Sequence, residues 1–333
     1  MSTSPQRSQT PLRAEIVDRL LCASECCVEG PVFEAMQRIR QRALVRNRAD
    51  DVSAALLYQA GWFVEWMEGP AAGIDAVLGR AGSEPHHRHL RVFHRSRGPR
   101  RLTQPWSMAF RQGDERQGAA FGQRVAALTG LGPEQGLEPA ALWRRLSMPL
   151  QEHGIGTRLE TDDYQRVMGC AARGARSFEL VRWLGRTYGR PVIHQRLAGA
   201  DDSVQDVANE YLDIEAGDGK MLRRVVAVAR NGLQIGLFQA FLSDYSHVIL
   251  LLCGDAGHDR DLVQVVMAAC SQLAERPLLL GCGPTGCDHD GLRAAARAGG
   301  LVYLDCGAAS DDPEAVWSTV EPALDFSRNL SYA

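Results

Sequence analysis

Apolar positions in the first hundred residues follow two periods. Short runs in which apolar residues alternate or cluster predict strands, and they span residues 15–24, 51–58, 62–68 and 90–95. Apolar residues that recur every three or four positions predict helices, and they span residues 31–46 and 71–81. Residues 59–61 predict a tight turn between two of the strands. The order strand, helix, two strands, helix, strand predicts an α+β ferredoxin-like sandwich.

The second half of the chain alternates buried runs with amphipathic segments. Strands are predicted at residues 190–196, 204–215, 220–229, 247–253, 277–281 and 301–305. Helices are predicted at residues 259–275, 290–298 and 313–326. This alternation indicates an α/β domain with a mostly parallel sheet, in which the second and third strands form an antiparallel hairpin. Between the halves, residues 121–131 and 138–146 predict two helices that pack on the first domain or act as a connector.

Composition narrows the class of protein. A chain of 333 residues with 45% hydrophobic and 23% charged residues is typical of a globular protein with two domains. No apolar run approaches the roughly 20 residues of a membrane span. The polar start, Met1 to Arg13, lacks the apolar core of a signal peptide. We therefore predict a cytoplasmic protein without membrane contact, whose nine cysteines are free thiols.

Charge is unevenly spread along the chain. Residues 1–116 hold 17 arginines and 13 acidic residues, although the whole chain has a net charge of -3. The densest basic run, residues 88–101, could contact phosphates. The same run is also typical of the solvated face of an edge strand and its turn, and the charge pattern favours this second interpretation. We therefore predict no nucleic-acid partner.

Three short motifs in the first half point to one family. They are Leu56-Leu-Tyr-Gln-Ala-Gly-Trp-Phe-Val-Glu-Trp-Met-Glu-Gly-Pro70, Glu84-Pro-His-His87 and Pro105-Trp-Ser-Met108. With these motifs, residues 14–112 resemble a BLUF domain, the blue-light sensor that holds FAD between its two helices. The resemblance implies a pocket in which a tyrosine, a glutamine and an asparagine surround the flavin ring. It also implies that light moves an electron and a proton from the tyrosine and rearranges the glutamine.

The chain keeps some pocket residues of that family and changes others. The positions that the resemblance assigns to the pocket are Cys22, Asn47, Glu65, His86, Trp106 and Met108. Of these, Cys22 stands where the family has the tyrosine, Glu65 where it has the glutamine, and His86 where it has an arginine. Without a cofactor, Asn47 would be a helix cap, and the neighbouring Trp62 and Trp66 would be core aromatics.

The two changes at the centre of the pocket have physical consequences. A cysteine can donate an electron, but it lacks the phenol that hydrogen-bonds to the glutamine amide. An ionised Glu65 offers only acceptors, whereas an amide supplies a donor and an acceptor. We therefore predict that the photocycle of the family is absent and that no cofactor is bound, with FAD binding as the alternative because the pocket walls can survive these changes.

A second motif opens the other half of the chain. From Arg166 to Phe178, an apolar run enters a loop with glycines five positions apart and leaves as an amphipathic helix, which is the order of a phosphate-binding unit. The loop positions are Gly169, Gly174, Ala175, Arg176 and Ser177. A nucleotide loop needs a lysine and then a hydroxyl at the positions of Ala175 and Arg176. Lys220 is the only lysine in the chain, so no other lysine can replace the missing one.

The loop, the hairpin and four further strand–helix units together resemble a Ras-like small GTPase over residues 164–328. The resemblance is greatest to the bacterial group that works with roadblock-type partners. Residues 229–233 replace the motif that holds magnesium and the attacking water, and residues 280–286 replace the motif that reads guanine. The last base-contacting segment becomes residues 305–309. These departures predict a P-loop GTPase-like fold without nucleotide chemistry, a pseudo-GTPase.

Together these patterns predict three segments: a BLUF-like domain at 14–112, a helical connector at 113–162 and a pseudo-GTPase domain at 163–328. The predicted function is that of a non-catalytic regulatory protein that senses through the first domain. The second domain would bind a protein partner, either a roadblock-type protein or a second copy of the chain. The alternatives are an FAD-binding blue-light photoreceptor with atypical photochemistry and an active GTPase.

The expected docking face for that partner consists of residues 202–215 and 230–244. Within it, the apolar segment 233–242 is either an exposed anchor or ordinary core. No metal is predicted, because Cys282, Cys287 and His289 lack the usual spacing of a zinc site. The histidines between residues 86 and 94 also do not form a site, because alternate residues of a strand face opposite ways. No Ser, His and acid set indicates a catalytic triad.

Overall fold

The computed structural model describes residues 15–129, 138–147, 164–216, 221–273 and 275–330, the side chains of residues 326–330 excepted. The strands are β1 (Ile16–Cys26), β2 (Ser53–Gln59), β3 (Trp62–Gly69), β4 (His87–Pro99), β5 (Ser107–Arg111), β6 (Tyr164–Ala171), β7 (Ile193–Ala198), β8 (Val207–Ala216), β9 (Met221–Val228), β10 (His247–Leu251), β11 (Leu278–Gly283) and β12 (Tyr303–Ala308). The helices are α1 (Val32–Ala49), α2 (Ala71–Ser83), α3 (Glu115–Thr129), α4 (Pro139–Ser147), α5 (Arg176–Thr187), α6 (Gly236–Gln239), α7 (Ala256–Cys270), α8 (His289–Ala298) and α9 (Pro313–Leu330). None of these helices combines the length and apolar character that crossing a bilayer requires.

The first half folds as the sequence predicts. Strand β1 lies between β3 and β4 and is antiparallel to both, while β2 is antiparallel to β3 and parallel to β5. Helices α1 and α2 cover one face of this sheet through Met36, Ile74 and Val77. The predicted turn is a two-residue hairpin at Ala60 and Gly61, both of which have a positive φ. The ferredoxin-like α+β arrangement is therefore confirmed.

Two strands of the first half differ from their predictions. Strand β4 extends from His87 to Pro99, well beyond the predicted 90–95, because a partner on one side only leaves its polar residues in solvent and hides the usual pattern. The five-residue β5 was not predicted, since its sequence Ser107-Met-Ala-Phe-Arg111 is short and buried along its whole length.

The second half is an α/β unit with a mixed sheet. Strand β6 is parallel to β9 and β10, and the parallel series continues through β11 to β12. Strand β8 is antiparallel to both β7 and β9, as the hairpin pattern predicts. The turn of that hairpin at 217–220 lies outside the described residues. Helices α5 and α9 pack on one face of the sheet, and α7 and α8 pack on the other.

One continuous sheet joins the two halves. Strand β5 of the first half is antiparallel to β7 of the second, with Met108 opposite Ala198 and Phe110 opposite Arg196. The resulting twelve-stranded sheet has the order β12-β11-β10-β6-β9-β8-β7-β5-β2-β3-β1-β4. Helices α3 and α4 lie against the face of the first-half sheet opposite α1 and α2, where Trp143 contacts Trp66. The helices predicted as a connector thus pack on the first half.

The apolar segment 233–242 belongs to the core. Phe238 and Phe241 are only 7% and 8% exposed. The ring of Phe241 lies 5.9 Å from that of Trp66, and Phe238 stacks on Tyr245. The interpretation of this segment as an exposed anchor is therefore wrong, because its aromatic rings fill the space between the sheet and α4.

Candidate functional site

A cavity lies in the first half between α1 and α2, above β1 and β3. Its volume is about 120 Å³. The residues that line it are Cys22, Ser24, Ile39, Arg42, Ala43, Arg46, Asn47, Leu56, Phe63, Glu65, Val77, Arg80, Ala81, Glu84, His86, His87, Leu90 and Trp106. Five of the six positions that the BLUF resemblance assigns to the pocket are therefore brought together here.

Strand geometry explains the floor of this cavity. Cys22 of β1 is the direct partner of Glu65 in β3, so the side chains of this antiparallel pair share one face. Ser24 lies two residues further along β1 and faces the same way. A thiol, a hydroxyl and a carboxyl are thus presented side by side to the cavity.

The carboxyl group of Glu65 is in an unusual electrostatic environment. It makes no hydrogen bond or ion pair with the described residues, and burial raises its pKa to about 7, against a smaller lowering by the Arg80 charge. The guanidinium group of Arg80 is held instead by Asp50 at 2.6 Å. Burial, and then the Glu65 charge, raise the pKa of the Cys22 thiol well above its ordinary value. Near neutral pH, Glu65 is therefore partly protonated and Cys22 remains a thiol.

Asn47 and Trp106 connect the cavity to the start of β5. Asn47 lies inside the last turn of α1, and its Nδ2 donates to the carbonyl of Pro105 at 2.8 Å. The C-cap of the helix is Asp50, so the interpretation of Asn47 as a cap is wrong. Trp106 lines the cavity, whereas Met108 is fully buried in the core beside it. Met108 is the one predicted pocket residue that does not reach the wall.

The rim of the cavity is basic, which sequence reasoning missed. Arg42 and Arg46 are exposed one turn apart on α1, and His86 contacts Glu84 at 3.2 Å. The helical spacing of α1 contains a signal for this basic rim, because Ile39 and Ala43 lie on the helix face that lines the cavity. Residues next to that face, such as Arg42 and Arg46, therefore lie at the rim of the cavity.

The phosphate-type loop of the second half is shorter than predicted. Gly169 lies within β6, where it pairs with Ala227 and Ile249, so the strand continues to Ala171. The loop proper is residues 172–175, and Gly174 adopts a φ of +72°, which favours glycine. Placing the start of the loop at Gly169 was wrong, because neighbouring strands on both sides hold that residue in the sheet.

The remaining loop positions are at the start of α5. Ala175 is its N-cap and provides no side-chain hydrogen bond. Arg176 donates to the carbonyl of Leu252 at 2.5 Å and lies 3.0 Å from Asp311. Its guanidinium group therefore lies across the loops that follow β10 and β12. Ser177 is buried and lines a second cavity beside the loop.

The other nucleotide-motif positions have structural roles. Residues 230–234 form a 3-10 turn, and Asp305 accepts from the backbone N–H of Gly307 at 2.8 Å. His289 contacts the hydroxyl of Tyr303 at 2.8 Å. Across the described part of the chain, no three His, Cys, Asp or Glu residues are grouped closely enough to hold a metal ion.

The two halves are also joined by polar contacts outside the sheet. The side chain of Arg40 on α1 is 3% exposed and donates to the carbonyls of Gly199 and Ala200, and it pairs with Asp202 at 3.0 Å. Gln104 donates to the carbonyl of Gln234 at 2.7 Å. Both segments of the expected docking face, 202–215 and 230–244, therefore contact the first half.

Asp244 is a further junction between the halves. It lies 2.5 Å from the guanidinium group of Arg144 on α4, 3.6 Å from that of Arg166 on β6 and 3.7 Å from that of Arg101 before β5. One carboxylate thus receives three cations from three segments that are distant in sequence. Such a network fixes the position of residue 244 relative to the first half.

Comparisons with known proteins agree with the resemblance in the first half. Residues 19–109 match the family model described as BLUF, sensors of blue-light using FAD. No curated protein matches the chain. Similar solved structures include BlrB, a BLUF protein in its dark state, which is 24% identical over 40% of this chain and 95% of that chain, with a TM-score of 0.30. The ground state of BlsA is 18% identical over 43% and 93% of the two chains, with a TM-score of 0.29.

A bacterial light-regulated adenylyl cyclase is 12% identical to this chain. The match covers 63% of this chain and 77% of the cyclase, with a TM-score of 0.29. The family match is the finding that identifies a domain: residues 19–109 form a BLUF domain.

Proposed function

We propose that this chain is a non-catalytic signalling protein in which a BLUF domain is coupled to a pseudo-GTPase domain. The proposed domains are residues 14–112 and 163–328, joined by a helical connector at 113–162. The observation that carries the proposal is that segments 202–215 and 230–244 are bonded to the first half. In a working GTPase such segments respond to the nucleotide, whereas here they are in contact with the sensory domain.

The architecture of the second half supports the GTPase-like part of this proposal. The strand before the loop, β6, lies beside an antiparallel hairpin, β8 and β9, and is followed by a parallel series with helices on both faces. The loop itself connects the end of β6 to the start of α5. This is the order on which the resemblance to Ras-like proteins rests.

The contacts of Arg176 support the absence of nucleotide chemistry. A magnesium-bound nucleotide needs a lysine for its terminal phosphates and a hydroxyl for its metal. Ala175 supplies neither, and the Arg176 side chain is already bonded to Leu252 and Asp311. The proposed pseudo-GTPase therefore lacks the groups that hold GTP and the groups that would hydrolyse it.

Two routes support coupling between the cavity and the second half. Helix α1 forms a wall of the cavity with Ile39 and Asn47, and the same helix holds residues 199–202 through Arg40. Strand β5 begins beside Trp106 at the cavity and pairs directly with β7. A ligand that moved α1 or β5 would therefore displace atoms of the second half.

A protein partner, either a roadblock-type protein or a second copy of the chain, remains part of the proposal. Its docking site is proposed to lie outside residues 202–215 and 230–244, because these segments pack on the chain's own first half. The intramolecular contact would then take the place of the partner that we expected at this face.

Blue-light sensing through FAD is the second candidate, and the unpaired carboxyl of Glu65 favours it. When protonated, this group supplies a donor and an acceptor, as an amide does. The Oδ1 of Asn47 also accepts no hydrogen bond from the described residues. These groups would hold the polar edge of a flavin ring, and Ile39 and Val77 supply apolar wall in the same cavity. FAD, when bound, would supply absorption of blue light, and Cys22 on the floor of the cavity is a side chain that can donate an electron.

Calorimetry with GTP and magnesium tests the main proposal. Each missing charged contact is worth about 1.5 to 3 kcal/mol, so we expect no measurable binding at micromolar protein concentrations. The absorption spectrum of the purified protein tests the second candidate, because bound FAD absorbs blue light and the protein alone does not. Micromolar affinity for GTP would refute the pseudo-GTPase proposal whatever the spectrum shows.

A further inference from the structure

The two edges of the twelve-stranded sheet differ in how they are protected. At one edge, β4 carries the exposed charges of Arg88, Arg91, Arg95 and Arg97 and ends at Pro99. Charged side chains and proline on an edge strand discourage pairing with another chain. Register shifts also interrupt the pairing of β4 with β1, and such irregularities protect an edge in the same way. This edge of the sheet is therefore closed to a further strand.

The other edge, β12, lacks this protection. Its sequence is Tyr303-Leu-Asp-Cys-Gly-Ala308, in which Asp305 is the one charged residue and there is no proline. Among the described residues, its strand partner is β11 alone. Leu304 is 42% exposed, and Val302, directly before the strand, is 68% exposed. An edge strand with exposed apolar side chains and few charges is a site at which a further strand can pair.

The backbone of β12 has groups available for such a pairing. The N–H of Leu279 in β11 donates to the carbonyl of Val302 at 2.9 Å, and Leu279 lies opposite Tyr303 in the parallel register. In a parallel pair, alternate residues of a strand bond to the same neighbour. Val302 and Leu304 therefore bond to β11, and the N–H and C=O groups of Tyr303 and Asp305 point to the open edge.

The exposed apolar side chains lie on one side of this edge. The hydroxyl of Tyr303 contacts His289 of α8 at 2.8 Å, whereas Cys306 packs on the opposite face of the sheet with residues of α9. Because side chains alternate along a strand, Val302 and Leu304 share the face of Cys306. They form a short apolar stripe along the edge, on the α9 side of the sheet.

We propose that β12 pairs with β12 of a second copy of this chain, antiparallel, with a two-fold axis through Leu304. The inference rests on the proposed function and sharpens it, because it selects a second copy as the protein partner and places the contact outside residues 202–215 and 230–244. A two-fold axis lets both copies present the same surface, which is the commonest arrangement of homodimers. The sheet then runs continuously through both copies.

The groups at the edge determine the register of this pairing. When Leu304 lies opposite Leu304 of the second copy, Tyr303 lies opposite Asp305. These two residues have their backbone groups at the open edge, so they form a hydrogen-bonded pair. Leu304 then forms a non-hydrogen-bonded pair with itself, in which the Cα atoms are about 4.5 Å apart. Val302 lies opposite Cys306, and the apolar stripe is covered by the same stripe of the other copy.

The charges near the edge agree with a second copy as the partner. Asp305 faces a tyrosine in this register, so no like charges meet along the strands. Helix α8, which packs on β12 through His289, has Asp288 and Asp290 at its N-terminal end and Arg297 at its C-terminal end. The two-fold axis also makes the two α8 helices antiparallel. The acidic end of each α8 thus lies toward the basic end of the other, which makes this surface complementary to itself.

Sedimentation velocity of the full chain at micromolar concentrations tests the proposal, and we expect a species with twice the mass of one copy. Leu304→Lys places two like charges opposite each other at the two-fold axis. We expect this variant to raise the dissociation constant of the dimer by about tenfold or more. Val92→Lys is the matched control, because Val92 is 40% exposed on the opposite edge strand, β4. It should associate as the unchanged chain does.

A second variant, Leu304→Cys, tests the register itself. In the proposed dimer, the two new thiols belong to a pair with a Cα separation of about 4.5 Å, which a disulfide can span. After mild oxidation, we expect a covalent dimer on a non-reducing gel. Val92→Cys is the control for this experiment and should give no more covalent dimer than the unchanged chain.

The outcomes are distinct. A chain that stays monomeric at these concentrations would overturn the proposal, and the partner would then be a different protein. A dimer that Leu304→Lys leaves intact would also overturn it, because the interface would lie elsewhere. If Leu304→Lys fails to fold, as judged by circular dichroism, the cross-link of Leu304→Cys decides, and its absence would overturn the proposal too. Micromolar affinity for GTP would refute the pseudo-GTPase function but not the dimer, whereas a monomer that binds no GTP would refute the dimer alone.

Discussion

The two cavities of this chain have opposite chemistry. The cavity between α1 and α2 presents the carboxyl of Glu65 and the thiol of Cys22, whereas the cavity beside α5 is lined by Arg173 and Arg230 and by no described Asp or Glu. Both stand in frameworks that resemble known cofactor sites, and in both the residues expected to carry the chemistry are replaced. The comparison shows that the framework of a site and its reactive groups can change independently.

The features of both sites that match the resembling families are those that also stabilise the fold. Asn47 bonds to Pro105 and the register of β1 and β3 places Cys22 beside Glu65, so the first cavity is shaped by contacts that the sheet needs. Gly174 adopts a positive φ between β6 and α5, which the turn into the helix needs in the same way. Ala175, by contrast, makes no side-chain hydrogen bond at the start of α5, so the fold does not require a particular side chain there.

The largest expected effect concerns Arg40, which ties the wall of the first cavity to the second half. Arg40→Ala removes the donor to the carbonyls of the buried Gly199 and the half-buried Ala200, and it breaks the ion pair with the exposed Asp202. We expect the free energy of unfolding to fall by about 2 to 4 kcal/mol. Urea denaturation monitored by tryptophan fluorescence measures it.

Arg38→Ala, on the exposed side of the same helix, is the matched control and should change stability by less than about 0.5 kcal/mol. Equal effects of the two substitutions would show that the halves are not held together through Arg40. The two cavities would then be separate sites rather than parts of one coupled system.

The contact between the two halves could not be predicted from the sequence. The periodicity of apolar residues predicted nearly every strand and helix, because those signals are local. The pairing of β5 with β7 links Phe110 to Arg196 across the connector, and no local pattern encodes a partner so distant in the chain. Phe241 was ambiguous for the same reason, since an apolar residue is core or surface according to what packs on it.

The candidate sites were predictable to different degrees. The BLUF motifs brought together Cys22, Asn47 and Glu65 correctly, because spacing along regular elements determines which side chains share a face. The second cavity was not predicted as a site, although Arg173 and Ser177 lie within the motif at residues 166–178. That motif identifies a nucleotide site by its lysine, which is missing here, and it assigns no role to an arginine at position 173.

A smaller effect is expected from the carboxyl of Glu65, whose pKa is raised from its ordinary value of 4.5 to about 7. A group with a raised pKa keeps its proton in the folded state where the unfolded state has lost it. The free energy of unfolding should therefore fall as pH rises from about 4.5 to about 7, by roughly 1 to 2 kcal/mol for this partly accessible group.

Glu65→Gln should remove this pH dependence and stabilise the protein at pH 8, because the amide has no charge to desolvate. Thermal unfolding between pH 5 and pH 8 measures the difference, with Glu34→Gln on the exposed face of α1 as the control. If the two variants show the same pH dependence as the unchanged chain, Glu65 is ionised in the folded state. The first cavity would then hold a stable negative charge and differ even more from the second.

The smallest expected signal is optical, and it tests whether the framework of the first cavity still suits a flavin. The double variant Cys22→Tyr/Glu65→Gln restores the phenol and the amide on adjacent strands, and Asn47 and the apolar walls are already in place. After reconstitution with FAD, we expect blue light to produce a small reversible red shift of the flavin band in this variant. The unchanged chain should show none, because a thiol cannot replace the phenol hydrogen bond.

The single variant Glu65→Gln separates the effects of the two residues. A light-induced shift in this single variant would show that Cys22 is sufficient as the electron donor. If FAD binds to the double variant and light still changes nothing, the walls have moved along with the reactive groups. Only the cavity beside α5 would then keep its framework while its reactive groups are replaced.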